Sequence, residues 1–165
     1  MQQGKRLYMK VLVLGGTGAM GAHLVQILSD EGIATFVTSR KHNESKDNIH
    51  YLQGDAHDFD FIEKTLDEKW DIIVDFMIYS TSSFNNRINL LLDRAGQYIF
   101  LSSSRVYAKS SDPLKEESHR LLDVSNDKSY LDTDEYALTK ARQENILLNS
   151  GKSNWTIIRP YITYS

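Results

Sequence analysis

The chain has 165 residues, of which 41% are hydrophobic and 25% are charged, an ordinary composition for a globular protein. One domain with a buried core is expected at this length. The net charge of −3 gives no sign of a nucleic-acid or anionic-membrane partner, and the absence of cysteine excludes disulfides, thiolate zinc sites and cysteine nucleophiles. No apolar run approaches the ~20 residues of a membrane span. We therefore expect a cytoplasmic protein that binds neither nucleic acid nor membrane.

Short β-rich runs alternate with helical patterns in the first part of the chain. Aliphatic residues predict a strand over Lys10–Leu14, and apolar spacing predicts a helix over Ala19–Asp30. Further strands are predicted over Ala34–Thr38 and His50–Gln53, with a polar loop at 41–47 between them.

The alternation continues through the middle of the chain. A helix is predicted over Phe59–Glu68, and the continuous apolar run Asp71–Met77 predicts a buried strand. A helix follows over Asn85–Arg94, ended by Gly96, and then a strand over Gln97–Ser102.

The last part of the chain opens with an irregular stretch from 108 to 131, which is unusually long and therefore expected to be functional or mobile. A helix over Thr133–Leu148 and a strand over Trp155–Arg159 complete the pattern. Strands that alternate with helices imply right-handed crossovers. The predicted fold class is α/β, a doubly wound Rossmann-type parallel sheet of about six strands with helices on both faces.

A glycine-rich turn, "GGTGAMG", joins the first strand to the first helix. Glycines at this junction let the backbone turn tightly and approach a pyrophosphate, which the helix amides then bind. The alternative is a structural turn without a ligand. The predicted contact residues of this phosphate loop are Gly15, Thr17, Gly18, Ala19, Met20 and Gly21.

The residues at the end of the second strand indicate which nicotinamide dinucleotide the protein prefers. Dinucleotide sites usually have an acidic residue there that binds the adenosine ribose, but this chain has Ser39 and Arg40. Arg40 suits a 2′-phosphate, so we favour NADP over NAD, although a solvated surface arginine is the alternative. Asp55, after the third strand, suits the adenine amino group or a helix cap, and Asp58 is the better candidate for the cap.

Reactive residues follow in two later segments. Tyr136 and Lys140 are four residues apart, so they share a helix face, and an ammonium group next to a tyrosine favours the phenolate. Tyr136 is thus a candidate base during hydride transfer. Three serines end the fifth strand, at the sheet edge where this fold binds its ligands.

The segments GGTGAMG, SSSRVY, YALTK and RPYITY, in this order, resemble the extended short-chain dehydrogenase/reductases, and within them the NAD-dependent epimerase/dehydratase family of mostly nucleotide-sugar enzymes. The resemblance covers nearly the whole chain. It implies a catalytic hydroxyl at Ser103, a catalytic tyrosine at Tyr136, and a lysine at Lys140 that binds the nicotinamide ribose and lowers the tyrosine pKa. It also implies that Pro160 to Ile162 pass beside the nicotinamide.

The chain departs from the family pattern in three places. Bulky residues, Met77 to Tyr79, follow the fourth strand where the family has small ones. Ser104 and Arg105 replace the Asp-Glu pair of the family's dehydratases, so a dehydratase is disfavoured. The family continues beyond the position of Ser165 into a region that shapes the sugar site. We therefore expect residues 1–165 to be the NAD(P)-binding Rossmann domain of a longer protein, without its C-terminal substrate region; a family member trimmed to its cofactor half is the alternative.

The expected function is an NAD(P)-dependent epimerase or reductase that acts on a nucleotide sugar. The alternative is an NAD(P)-binding regulatory or scaffold module without turnover. The five histidines show no ligand spacing, so no metal site is predicted. Members of the family often form homodimers through the helix after strand four and the Tyr-Lys helix. Five apolar residues on these helices suit either the core or such an interface: Ile88, Leu91, Leu92, Ile146 and Leu147.

Overall fold

A six-stranded parallel sheet, in the order β3-β2-β1-β4-β5-β6, forms the centre of the protein. The computed structural model describes residues 9–161. The strands are β1 (Lys10–Leu14), β2 (Ala34–Ser39), β3 (Ile49–Gln53), β4 (Trp70–Asp75), β5 (Ala95–Leu101) and β6 (Trp155–Ile158). The order reverses between β1 and β4, which leaves a crevice at their carboxyl ends.

Helices connect the strands. They are α1 (Ala19–Asp30), α2 (Phe59–Thr65), α3 (Thr81–Arg94), α4 (Leu121–Val124), α5 (Lys128–Leu131) and α6 (Tyr136–Leu148), and a 3-10 turn spans Ser104–Val106. The described residues include no helix long and apolar enough to cross a membrane. These elements confirm the predicted α/β Rossmann-type fold.

The two faces of the sheet are covered by different helices. Val11 and Val13 of β1 pack with Val25 of α1, whereas Leu12 and Leu14 point to the opposite face. On that second face α2, α3 and α6 contribute buried residues, which include Ile62, Phe84, Ile88, Leu91, Leu92 and Leu147. Five apolar residues of α3 and α6 were predicted to lie in either the core or a dimer interface. All of them except the half-buried Ile146 are in the core.

Capping residues move two helix starts away from the predicted positions. The helix predicted from Asn85 begins at Thr81, because the Ser80 hydroxyl accepts from the backbone N–H of Ser83 at 3.1 Å. The helix predicted from Thr133 begins at Tyr136, because the Glu135 carboxylate accepts from the N–H of Ala137 at 2.7 Å.

Two predicted ends are wrong by two residues or more, and the role predicted for Gly96 is also wrong. The second helix ends at Thr65 rather than Glu68. The fourth strand ends at Asp75 rather than Met77, because the Asp75 carboxylate accepts from the Met77 N–H at 2.9 Å and turns the chain. Gly96 does not end a helix but lies within β5, where a Cβ would come 2.7 Å from the Asp71 carbonyl oxygen of the adjacent strand.

The stretch from 108 to 131 is more ordered than its sequence indicates. An antiparallel bridge between Tyr107 and Arg120 closes an excursion at 108–119, and the Ala108 N–H donates to the His119 carbonyl at 2.9 Å. The short helices α4 and α5 follow, and α4 packs against α6. The excursion is therefore fixed at its base and exposed over most of its length.

Candidate cofactor and active site

A cleft of about 330 Å³ lies at the carboxyl edge of the sheet, where the strand order reverses. Dinucleotides bind at this position in doubly wound folds. The residues that line it are Gly15, Thr17, Gly18, Thr38, Ser39, Arg40, Gly54, Asp55, Ala56, His57, Phe76, Met77 and Ile78. Six of the predicted cofactor residues therefore line one cavity: Gly15, Thr17, Gly18, Ser39, Arg40 and Asp55.

Gly15 makes the turn that leaves β1. Its φ of +73° lies in the left-handed region, where a side chain is strained, and a Cβ would come 2.9 Å from the Met77 sulfur. The Gly15 N–H donates to the Thr38 hydroxyl at 3.1 Å, which ties the turn to β2. Sequence reasoning missed Thr38, whose only signal is its place at the carboxyl end of β2.

Close backbone packing explains two further glycines. A Cβ on Gly21 would come 2.6 Å from the Gly16 Cα, and a Cβ on Gly16 would come 2.7 Å from a Val37 methyl carbon. Helix α1 therefore lies directly against the turn because both residues lack a side chain. Gly16 was not among the predicted site residues, although it stands next to Gly15 in the motif.

The N-terminus of α1 is shaped to accept an anion. Gly18 is the N-cap and supplies no side-chain hydrogen bond to the first turn. The exposed Ala19 and Met20 begin the helix, so their N–H groups have no partner within it. Unsatisfied amides at the positive end of a helix dipole bind phosphate groups, so the residues present fit a pyrophosphate.

The residue after β2 places one cationic side chain, that of Arg40, on the wall of the cleft. Arg40 is exposed, and Lys41 and His42 beside it are exposed too. Ser39 is buried, and its hydroxyl donates to the Lys41 carbonyl at 2.8 Å and accepts from the Asn43 amide at 2.7 Å. Ser39 therefore shapes the turn that presents Arg40.

Asp55 lines the cleft after β3 but has a structural bond of its own. Its carboxylate accepts from the His57 N–H at 2.9 Å, within the turn that precedes α2. Asp58 is the N-cap of α2, as predicted, since its carboxylate accepts from the Asp60 N–H at 2.9 Å.

Ser103 follows the carboxyl end of β5 and is the N-cap of the 3-10 turn. Its oxygen accepts from the Arg105 N–H at 3.2 Å, which leaves the hydroxyl hydrogen to be donated elsewhere. The Ser104 N–H donates to the Pro160 carbonyl at 3.0 Å, so the segment after β6 runs beside the serines. Ile162, predicted in the same segment, lies outside the described residues.

Tyr136 is the first residue of α6, and this helix contacts the 3-10 turn. The Arg105 guanidinium carbon lies 5.3 Å from the centre of the Tyr136 ring. Glu135 holds that arginine through an ion pair of 2.9 Å. Ser103 and Tyr136 are thus joined through Arg105, a residue to which the sequence reasoning gave no active-site contact.

Lys140 is buried one turn along α6 from Tyr136. Its ammonium group donates to the Leu101 carbonyl at 2.8 Å and lies 4.6 Å from the centre of the Phe100 ring. Burial lowers the pKa of Lys140 to about 8, and the carboxylates of Asp75 and Glu144 oppose part of that shift. The lysine thus reaches β5 two residues before Ser103.

Asp75 is a buried carboxylate behind the cleft that the sequence did not single out. Its oxygens accept from the Tyr98 hydroxyl at 2.8 Å and the Tyr79 hydroxyl at 3.4 Å. Burial raises the pKa of Asp75, although these hydrogen bonds and the charge of Lys140 act in the opposite direction. Its one sequence signal is an acidic residue that ends an apolar strand.

The bulky residues after β4 have different positions. Tyr79 is buried and points into the core, where its ring lies 4.4 Å from the Arg87 guanidinium carbon. Met77 and Ile78 line the cleft, and Ile78 is 65% exposed. The departure from small residues therefore affects the wall of the cleft at these two positions.

The fold and the glycine turn define a dinucleotide-binding Rossmann domain. The sequence profile described as "NAD dependent epimerase/dehydratase family" matches residues 11–165, so the chain belongs to that family. A nicotinamide dinucleotide is the cofactor that this membership supports.

Three known proteins illustrate the similarity. The chloroplast stem-loop binding protein of 41 kDa b from Arabidopsis thaliana is 29% identical, over 94% of this chain and 42% of its own length. The Bordetella bronchiseptica enzyme WbmH in complex with NAD+ superposes with a TM-score of 0.71 at 17% identity, over 92% of this chain and 55% of that protein. UDP-glucose 4-epimerase from Thermus thermophilus, in complex with NAD, gives 0.65 at 19% identity, over 92% and 54%. The chain thus spans about half the length of these proteins.

Proposed function

We propose that the protein is an NAD(P)-dependent epimerase or reductase that acts on a nucleotide sugar by hydride transfer at a carbinol carbon. The observation that supports this most directly is that α6, which carries Tyr136 and Lys140, contacts the 3-10 turn that follows Ser103, while Lys140 donates to the Leu101 carbonyl of β5. The similar UDP-glucose 4-epimerase with NAD supports the substrate class.

In this proposal the glycine turn and the N-terminus of α1 hold the pyrophosphate, and Pro160 lies beside the nicotinamide. The bound nicotinamide supplies the hydride chemistry. Ser103 donates its hydroxyl hydrogen to the reacting oxygen, and Tyr136 takes the proton of the substrate hydroxyl and returns it. The buried ammonium of Lys140 stabilises the negative charge that develops on the phenolate, in surroundings where charge interactions are stronger than in water.

A dehydratase is disfavoured because no carboxylate follows the catalytic hydroxyl. Ser104 and Arg105 occupy those positions, and the Arg105 side chain already contacts Tyr136 and Glu135. Loss of water from a sugar needs a group that delivers a proton to the leaving hydroxyl. A permanently charged guanidinium does not supply that proton at neutral pH.

The test of the catalytic assignment is Tyr136→Phe in the protein at its native length, assayed against a panel of nucleotide sugars. We expect kcat to fall about 10²- to 10⁴-fold, the range for loss of a general base. The Kd for the cofactor should stay unchanged. Tyr51→Phe on β3 is the matched control and should keep full activity. Wild-type turnover in Tyr136→Phe would show that the assignment is wrong.

The cofactor preference is also part of the proposal. Arg40 is exposed at the rim of the cleft beside two further basic residues, which suits a 2′-phosphate. Calorimetry should give tighter binding of NADP+ than of NAD+. Arg40→Ala should weaken NADP+ binding about tenfold or more, as expected for loss of a charged hydrogen bond, while NAD+ binding is unchanged. Tighter binding of NAD+ to the wild type would refute the preference.

A second candidate is an NAD(P)-binding module without turnover. One observation favours it: the relative that aligns with 94% of this chain is a stem-loop binding protein by name. Tight cofactor binding, no turnover on the sugar panel and saturable binding of a stem-loop RNA at physiological salt would favour this candidate. Failure to bind either nicotinamide dinucleotide would exclude both.

A further inference from the structure

The Glu144 carboxylate is completely buried in α6, one turn after Lys140. One oxygen, Oε1, accepts from the Ser102 hydroxyl at 2.5 Å and from Nε of Arg159 at 2.8 Å. The other, Oε2, accepts from Nη2 of Arg159 at 2.9 Å and Nη1 of Arg120 at 3.0 Å. Neither the motifs nor the proposed mechanism uses this carboxylate.

The hydrogen bonds keep Glu144 ionised. Burial alone would raise the pKa of its carboxyl, but the donors Arg159, Ser102 and Arg120 hold that pKa below the ordinary value. A buried charge cluster of this kind is a weak source of stability, because apolar residues of similar volume often serve as well. Stability by itself therefore does not account for the cluster. The positions of its hydrogen-bond donors in the fold indicate a second role.

Each donor belongs to a different segment of the candidate active site. Ser102 immediately precedes the proposed catalytic Ser103. Arg159 lies between the end of β6 and Pro160, and it also donates to the Tyr107 hydroxyl at 2.6 Å and to the Glu116 carbonyl at 2.8 Å.

Arg120 connects the exposed excursion to the same carboxylate. It closes the base of 108–119 through the bridge to Tyr107, and its guanidinium also donates to the Asn145 side chain at 2.8 Å. A single carboxylate thus connects the end of β5, the end of β6 and the excursion to the helix that carries Tyr136 and Lys140.

We propose that Glu144 is a positioning residue for the reaction. Through Ser102 it fixes Ser103 relative to Tyr136 and Lys140, and through Arg120 and Arg159 it fixes the excursion against α6 and β6. The first half of this proposal, the placement of Ser103, rests on the proposed function. The second half, the fixing of the excursion, does not. Errors of about 1 Å in the position of reacting groups lower rates about 10²-fold. A carboxylate that only positions Ser103 can therefore affect the rate without touching the substrate.

The kinetic test uses Ser102→Ala, which removes one donor and leaves the ion cluster intact. In the protein at its native length, kcat per cofactor-binding site should fall at least about tenfold, within the range for a misplaced reacting group. KM and the cofactor Kd should not change. Ser102→Thr retains the hydroxyl and should recover most of kcat. The exposed Ser153→Ala is the matched control.

Tyr136→Phe in the same series separates the two proposals. If Tyr136→Phe is inactive while Ser102→Ala and a folded Glu144→Gln turn over like the control, the positioning role is refuted and the proposed function stands. If Tyr136→Phe is fully active, the proposed function is refuted. A purely structural role would lower the melting temperature of Ser102→Ala without changing kcat per site, and that result also refutes the positioning role.

The excursion provides a measurement that needs no turnover. Lys109 and Lys115 are exposed trypsin sites within it. Under native conditions Glu144→Gln should be cleaved there faster than the wild type, whereas Glu63→Gln on α2 should match the wild type. Arg120→Gln, which keeps the Ser102 and Arg159 bonds, should also accelerate cleavage. Unchanged cleavage in both Glu144→Gln and Arg120→Gln would refute the second half of the proposal.

Discussion

Replacing Gly21 by alanine tests how closely α1 packs against the glycine turn. The added Cβ would lie 2.6 Å from the Gly16 Cα and 2.8 Å from its carbonyl carbon. These are backbone atoms, so no flexible side chain can move aside and the helix itself must shift. Overpacking of this kind costs about 1–3 kcal/mol, and the helix propensity of alanine offsets about 1 kcal/mol.

Because the contacts at 2.6 and 2.8 Å are with backbone atoms, we expect a cost in the upper part of that range, about 2–3 kcal/mol. The expected net loss is therefore about 1–2 kcal/mol, which corresponds to a fall in melting temperature of roughly 2–8 °C for a domain of this size. Urea unfolding gives the free energy directly. Gly18→Ala is the matched control, since its Cβ would contact only the Gly15 carbonyl oxygen at an ordinary 3.6 Å. Gly18→Ala should stay within about 1 kcal/mol of the wild type, a range set by the N-cap preference for glycine over alanine. It should still weaken cofactor binding. Equal stability of Gly21→Ala and the wild type would refute the packing argument.

Asp75, Glu144 and Phe84 are buried side chains whose replacement should have measurable effects. Asp75→Asn removes a carboxylate that raises the pKa of Lys140, so that pKa should fall below about 8 and the alkaline limb of the pH-rate profile should move to lower pH; an unmoved limb contradicts the coupling. The stabilising effect of ionised Glu144 is present above the ordinary glutamate pKa of about 4.3 and is lost as pH falls through its lower folded value, so the stability difference between wild type and Glu144→Gln should narrow in acid. A constant difference in urea titrations across that range would refute the ionised state. Phe84→Ala empties a fully buried site whose ring centre lies 5.1 Å from that of Phe100, and should cost about 3–5 kcal/mol in urea unfolding; a loss below 1 kcal/mol would show that the site collapses.

The order of strands and helices was predictable because the spacing of apolar residues distinguishes a strand from a helix. β1 and α1 have the predicted bounds, since an aliphatic run and a glycine turn mark them sharply. The helix starts at Thr81 and Tyr136 depend on the capping side chains of Ser80 and Glu135. Those contacts involve one hydrogen-bonding group each and leave no periodic signal, so apolar spacing placed the first start four residues too late and the second three residues too early.

Some residues of the candidate site could likewise be predicted from local sequence patterns, whereas others could not. The glycines, Tyr136 and Lys140 stand in local patterns with fixed spacing, so the sequence indicates them. Asp75 and Glu144 act through partners far away in the chain, such as Tyr98 and Arg159, and no local pattern connects these pairs. Contacts of this kind become visible only when the sheet brings separate segments together.

In the function proposed above, the cleft holds a nicotinamide dinucleotide that exchanges a hydride with a substrate carbinol next to Tyr136. The most direct test is a single-turnover experiment in which a nucleotide sugar is mixed with the protein at its native length, loaded with oxidised cofactor. The account predicts a transient near-ultraviolet absorbance of reduced nicotinamide in the wild type and its loss in Tyr136→Phe, with cofactor binding retained. The same transient in both proteins, or none in a wild type saturated with cofactor across the sugar panel, would contradict it.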